Sequence, residues 1–329
     1  MRDLESTCTR YLTQWEARAN VLQPERYRVS PDVDPASLTF PILLPTLAHP
    51  LVREAGPEAQ RLLIMQGVYE YLRAVSDGEG NIVLSVCGLV SGRYGRDLLP
   101  PVAQRALQTV STDEGYHTYV AEEMVADLTA VTGIAHVQME GWYGNQSMIR
   151  DGLDCALYEI LPEARLALQL AFVALYENGI TEEMIELLRA TDRESPFYRF
   201  NREHVRDEAR HSLFFRAVLA HLWSTMDPEI RRAVDRHLPR VLASYMRALT
   251  TNNWDLERLR LQHAGLSPEK AMQVVEDSRF EIADVRANPI WQNMWGCMRV
   301  TGMLDDPDLY RALEREGLAA NDTRAPLAA

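Results

Sequence analysis

The sequence predicts an all-α protein of roughly eight to ten helices in one domain spanning residues 1–329, and three observations carry that expectation. Long segments place apolar residues at helical rather than alternating spacing. Proline, or serine and proline together, stands at the start of several of those segments. No series of short alternating runs divided by turn residues suggests hairpins.

Taken in order, a first helix is expected over residues 3–20, followed by a proline-punctuated loop to about His49, whose prolines forbid a long helix. "PEAQRLLIMQGVYEYLRAV" opens with Pro57 and is rich in helix formers. "NIVLSVCGL" resumes an apolar helical pattern after "SDGEG", so that segment reads either as a turn or as one helix passing a weak spot. "VAQRALQTVSTDEGYHTYVAEEMVADLTAVTG" is a long helix closed by Gly133. "ARLALQLAFVALYENGI" is apolar nearly all round and predicts a buried central helix. Ser195 and Pro196 open another long helix ending near Met226. "DPEIRRAVDRHLPRVLASYMRAL" and "SPEKAMQVVEDSRFEIADVRA" add two more, and residues 320–329 read as a frayed tail.

Composition narrows the function classes. The chain of 329 residues is 47% apolar and 25% charged, enough apolar material for a sizeable core. A formal net charge of −13 argues against nucleic acid or an anionic membrane as partner. Cys8, Cys87, Cys155 and Cys297 are scattered without a CxxC pair, as expected of reduced thiols in a cytoplasm. The N-terminus lacks the apolar stretch of a signal peptide, and no run of about 18 apolar residues predicts a membrane span. A cytoplasmic location is therefore expected.

The chemistry is carried by a phrase that occurs twice, "DEGYH" at Asp113–His117 and "DEARH" at Asp207–His211. Residues three or four apart share a helix face, so Glu114 pairs with His117 and Glu208 with His211. His204 lies four residues before Glu208, on the same stripe. A carboxylate and an imidazole from each of two helices, plus one Glu from each of two others, is the ligand recipe of carboxylate-bridged di-metal bundles, ferritin-like in fold. Glu177, the acid near the end of the apolar helix, is a natural third-helix ligand, because its burial without a partner would be costly. For the remaining acid Glu70 and Glu79 both stand as candidates. Asp113 and Asp207 could each accept a hydrogen bond from the outer nitrogen of a ligating histidine. His49, His136, His221, His237 and His263 lack such company and read as surface or core residues. Carboxylate and imidazole ligands without thiolate suit iron or manganese.

With these residues in view the sequence resembles the non-haem di-iron N-oxygenases typified by p-aminobenzoate N-oxygenase. The family's ligand order of Glu, ExxH, Glu and HxxxExxH maps onto Glu79, Glu114 with His117, Glu177, and His204 with Glu208 and His211. The spacing of the first acid favours Glu79 over Glu70, and the third histidine separates this family from ferritins, reductase subunits and desaturases. The resemblance implies a ferritin-like bundle with added flanking helices, two iron ions and O2 as co-substrate. It further implies oxidation of a small aryl amine to a hydroxylamine, nitroso or nitro product in a biosynthetic pathway, by a homodimer. A desaturase or hydroxylase acting on a carrier-bound substrate is the alternative, since the same ligands support C–H chemistry. Relatives acting on aromatic amino acids hold the carboxylate with a basic residue from the C-terminal helices, which makes Arg279, Arg286 and Arg299 substrate candidates beside Trp291 and Trp295. No flavin or nicotinamide fingerprint occurs, so a separate electron-donor protein is expected. Tyr116 and Tyr176, near ligands in sequence, read as packing residues.

Overall fold

Proline at the first turn opens most of the helices, where its missing N–H costs no hydrogen bond and its fixed φ is already helical. The computed structural model describes residues 3–23, 28–32, 45–92, 95–142, 144–279 and 285–319. In chain order the helices are α1 (Leu4–Arg18), α2 (Pro50–Glu54), α3 (Pro57–Gly78), α4 (Leu84–Ser91), α5 (Pro101–Thr132), α6 (Asn145–Glu159) and α7 (Arg165–Ala190). There follow α8 (Pro196–Thr225), α9 (Pro228–Thr250), α10 (Trp254–His263), α11 (Pro268–Ser278), α12 (Pro289–Val300) and α13 (Pro307–Arg315). Side-chain caps reinforce several of these starts. Ser195, Asp227, Ser267, Asn288 and Asp306 each accept a hydrogen bond from a backbone N–H in the first turn that follows. Gly133 closes α5 in the left-handed conformation, at φ 68°. Among the described residues there is no strand, and no helix is long and apolar enough to cross a membrane.

The architecture is a ferritin-like bundle with flanking helices. Its four central elements are α3 continued by α4, α5, α7 and α8; α3 and α4 both pack on α5, α4 also packs on α7, and α7 and α8 lie together. α7 is the hub. Its residues Leu170 to Leu175 are all fully buried, as expected of a helix that is apolar on every side. α9 and α12 cover its outer face, α6 and α13 lie on α9, and α1 crosses α5 and α8. At the α7–α12 crossing Gly179 lets Ile290 and Met294 approach so closely that a Cβ there would meet them at 3.0 and 3.1 Å.

Two sequence expectations are corrected. The helix anticipated over 267–287 ends at Ser278, and a short 3₁₀ turn at Val285–Ala287 precedes α12. The helices α6, α10, α12 and α13 fall outside the segments assigned from the sequence. The expected tail at 320–329 and most of the proline-rich loop lie outside the described residues.

Candidate metal centre

The ambiguous "SDGEG" segment resolves into a single π-helical turn, Glu79–Val83, inserted between α3 and α4 without interrupting the chain of helical residues. The extra residue in such a turn re-aims side chains, and π-bulges concentrate at functional sites. Glu79, its first residue, is 2% exposed. The flanking glycines serve close packing rather than a turn. A Cβ on Gly78 would lie 2.3 Å from the Tyr176 hydroxyl, and one on Gly80 would lie 3.3 Å from Thr118 Oγ1. Glycine is thus required at 78 because a neighbouring helix occupies the space a side chain would need.

α5 contributes Glu114 and His117, α7 contributes Glu177, and α8 contributes His204, Glu208 and His211; all six are buried. Together with Glu79 they form two overlapping groups with ligand atoms within 4.8 Å of one another: Glu79, His117, His204 and Glu208, and Glu114, Glu177, Glu208 and His211. Glu208 belongs to both. Its Oε1 lies 3.4 Å from His117 Nδ1 and 3.2 Å from His211 Nδ1. Glu114 also faces both sides, at 2.9 Å from His211 Nδ1 and 3.4 Å from His117 Nδ1. These two carboxylates are therefore placed to bridge.

His204 reaches the cluster without any distortion of α8, which is α-helical throughout. The irregularity lies on the opposite helix, where the π turn brings Glu79 Oε1 to 2.5 Å from His204 Nε2. His204 uses its far ring nitrogen, whereas His117 and His211 turn Nδ1 inward. The His117 and His204 rings are 4.4 Å apart.

A pair of divalent cations fits this donor set. Four carboxylates and three imidazoles are buried together. Glu79 Oε2, both oxygens of Glu114 and of Glu208, and Nδ1 of His117 and His211 make no hydrogen bond. Orphaned buried polar atoms are costly unless a ligand satisfies them. Four carboxylate charges against neutral imidazoles balance two divalent ions. Without a cation the carboxylates disturb one another: burial, then the Glu208 charge, raises Glu114 and raises Glu177 further. Burial opposes charge on His117 and His211 too, yet Glu79 and its neighbouring carboxylates outweigh it at His117, and Tyr11 with Glu208 and Glu114 outweighs it at His211, holding both well above the usual imidazole range.

Behind the ligands the two repeated phrases support each other crosswise. Asp113 of α5 accepts from His211 Nε2 of α8 at 3.1 Å, and Asp207 of α8 accepts from His117 Nε2 of α5 at 3.1 Å. With Nδ1 turned to the cluster, each outer N–H is thereby fixed in tautomer and direction. Arg210 donates to Asp207 and lies 3.5 Å from Asp113, tying the two carboxylates together. α1 and the turn after it complete this layer: Trp15 Nε1 donates to Asp113 at 2.9 Å, and Asn20 Nδ2 donates to Asp207 at 2.8 Å. These contacts span about half the chain, and nothing in local spacing announces Trp15, Asn20 or Arg210.

Every candidate ligand in this arrangement falls within the part of the chain that matches a known family. The profile of the p-aminobenzoate N-oxygenase AurF family matches residues 3–287. The chain belongs to that family. Its members are oxidoreductases, monooxygenases that act as N-oxygenases. No curated protein matches the chain individually.

The structure also separates the remaining candidates of this N-oxygenase. Glu70 is turned away from the cluster and pairs with Arg260 and with His136, the latter at 3.0 Å. Burial raises its carboxyl, but the His136 hydrogen bond and the Arg260 charge outweigh this and hold it below its ordinary value. His49 caps α2, His237 is buried away from the centre, and His263 is exposed. Tyr116 and Tyr176 pack beside ligands, Tyr176 against Gly78. Arg279 and Arg299 are exposed, and Arg286 faces the Ala319 carbonyl at 3.5 Å. None of these three arginines is among the described residues that line the recesses at Glu70 and at Asn20. The basic residues that do so on the Glu79 side are Arg73 and Arg150, in a recess of about 810 Å³ that also holds His136, Trp142 and Gln146. Gln146 lies against Gly78 and so links that recess to the π turn.

Proposed function

We propose that the chain holds two iron ions at Glu79, Glu114, His117, Glu177, His204, Glu208 and His211 and uses O2 to oxidise a small aryl amine at nitrogen. The observation that carries this reading is His204, a third imidazole placed 2.5 Å from Glu79 beside a complete set of four carboxylates and two histidines. A bound iron pair would supply the activation of O2, and O2 the oxygen atom and oxidising equivalents for N-oxygenation.

The protein's own part is placement and insulation. Glu114 and Glu208 hold the two positions together, and Glu79 and Glu177 close them at either end. Asp113 and Asp207 keep the outer nitrogens of His211 and His117 protonated, so that Nδ1 is the free donor. Fully buried Cys87 and Leu170 to Leu175 belong to the apolar wall around the α4–α7 contact and exclude water there. The recess of about 810 Å³ has the size of a small-molecule site and offers the aromatic face of Trp142; its Arg73 and Arg150 are paired with Glu122 and Asp154 and share the lining with Glu70, Asp77, Glu140 and Asp151.

Metal analysis followed by anaerobic reduction and exposure to O2 with p-aminobenzoate and other arylamines tests the proposal. Expected results are about two irons per chain and products heavier by the oxygen atoms gained at nitrogen. A chain that takes up no iron, or iron-loaded protein that leaves every arylamine unchanged, would overturn it.

A further inference from the structure

A smaller recess differs in character from the large one. This second recess, of about 370 Å³, is lined by Arg18, Arg199 and Arg206, with Asn20, Tyr116 and, among the described residues, one carboxylate, Glu203. All three arginines are exposed; Arg18 comes from α1, and Arg199 and Arg206 lie about two turns apart on α8. Arg199 is paired with Glu203 at 2.9 Å, so on a chain of net charge −13 it is Arg18 and Arg206 that give the opening its excess of positive charge.

This recess leads to the cluster in two ways. A void of only about 20 Å³ continues from it, sharing Asn20, Tyr116 and Glu203 and ending on His117 and His204. That is the space of about one water molecule, so an aromatic amine cannot pass. Hydrogen bonds make the second link: Asn20 Nδ2 donates to Asp207 Oδ2 at 2.8 Å, and the same oxygen accepts from His117 Nε2 at 3.1 Å. A residue lining the basic opening is therefore two hydrogen bonds from a metal-facing imidazole. An opening too narrow for substrate but closely coupled to a ligand suits electrons, which need no channel.

We propose that the recess framed by Arg18, Arg199 and Arg206 is the docking site of an acidic one-electron donor protein, and that electrons enter the centre through Asn20, Asp207 and His117. The proposal rests on the iron-binding reading given above. Each of two donor molecules is oxidised by one electron, and two ferric ions become two ferrous ions; no bond is broken. Charge complementarity gives such an encounter speed and salt sensitivity more than tightness.

The test uses a reduced plant-type [2Fe–2S] ferredoxin, an acidic protein, as probe, and the reduced methyl viologen radical as a small reductant that needs no docking site. Stopped-flow absorbance follows reduction of the oxidised iron-loaded chain, and calorimetry follows ferredoxin binding to the metal-free chain. The double variant Arg18→Glu/Arg206→Glu should slow reduction by ferredoxin on the order of tenfold or more at low salt and flatten its salt dependence. It should weaken binding to the metal-free chain in parallel and leave reduction by methyl viologen as fast as before. Unchanged ferredoxin kinetics, or a raised KM for the amine with an unchanged ferredoxin rate, would overturn the docking site alone. Failure of methyl viologen to reduce the wild-type chain would overturn the iron-binding reading and this proposal together.

Discussion

The two ends of the metal centre are built differently although they share Glu208. At one end Glu114, Glu177 and His211 come from regular turns of α5, α7 and α8, with one imidazole among them. At the other, Glu79 stands on a π turn held between two glycines and meets two imidazoles, His117 and His204. The regular end uses only the spacing that any α-helix provides. The irregular end needs an extra residue in one helix before a third histidine on another can be used. Its added donor would be neutral toward a bound ion, so it would fill a coordination position without adding negative charge to an already acidic cluster.

The comparison is most severely tested at the residue common to both ends. Glu208→Ala should bring iron content from about two per chain toward zero while leaving the helical circular dichroism largely intact. Retention of one firmly bound iron would show that Glu208 serves one end only.

Gly78→Ala attacks the irregular end alone. The added methyl group must displace the Tyr176 hydroxyl, 2.3 Å away, and overpacking of this kind costs about 1–3 kcal/mol. Thermal unfolding should move accordingly, iron at the Glu79 end should weaken, and the double variant Gly78→Ala/Tyr176→Phe should recover part of both. Gly80→Ala, facing Thr118 at 3.3 Å, should be milder. Equal effects of the two alanines would refute the close-approach explanation of the glycine at 78.

His204→Ala removes the distinguishing donor of that end. The Glu114–Glu177–His211 end should keep its metal, while affinity for the second ion falls by at least the order of tenfold and N-oxygenation is lost in proportion. Wild-type loading and wild-type N-oxygenation would take His204 out of the site.

The smallest effects should sort by the crossed hydrogen bonds. Asp207→Asn should perturb His117, and Asp113→Asn should perturb His211, each lowering metal affinity by about 10–100-fold. In a cobalt-substituted protein the paramagnetically shifted imidazole N–H signals can be assigned to either ring. A perturbation of the histidine on the same helix as the altered aspartate would contradict the crossing.

Much of this protein could be read along the chain because the α-helix converts spacing directly into direction. The repeated Asp-Glu-x-x-His phrases, the proline-opened helices and the all-round apolar α7 are local patterns whose consequences hold wherever the helix is placed. The choice between Glu70 and Glu79 is different in kind. In sequence two glycines argue for a turn, and only the position of Tyr176 shows that they provide room beside a π turn. Spacing alone puts His204 on the stripe of Glu208 and His211 and leaves open how it reaches the cluster. The structure puts the distortion in the facing helix, because a contact between two helices can be adjusted from either side. The pairing of each aspartate with the histidine of the other phrase, and the support given by Trp15, Asn20 and Arg210, depend on how α1, α5 and α8 pack. Helical period determines which residues share a face. Which faces meet is decided by tertiary packing, and that decision turned two copies of one phrase into a single site.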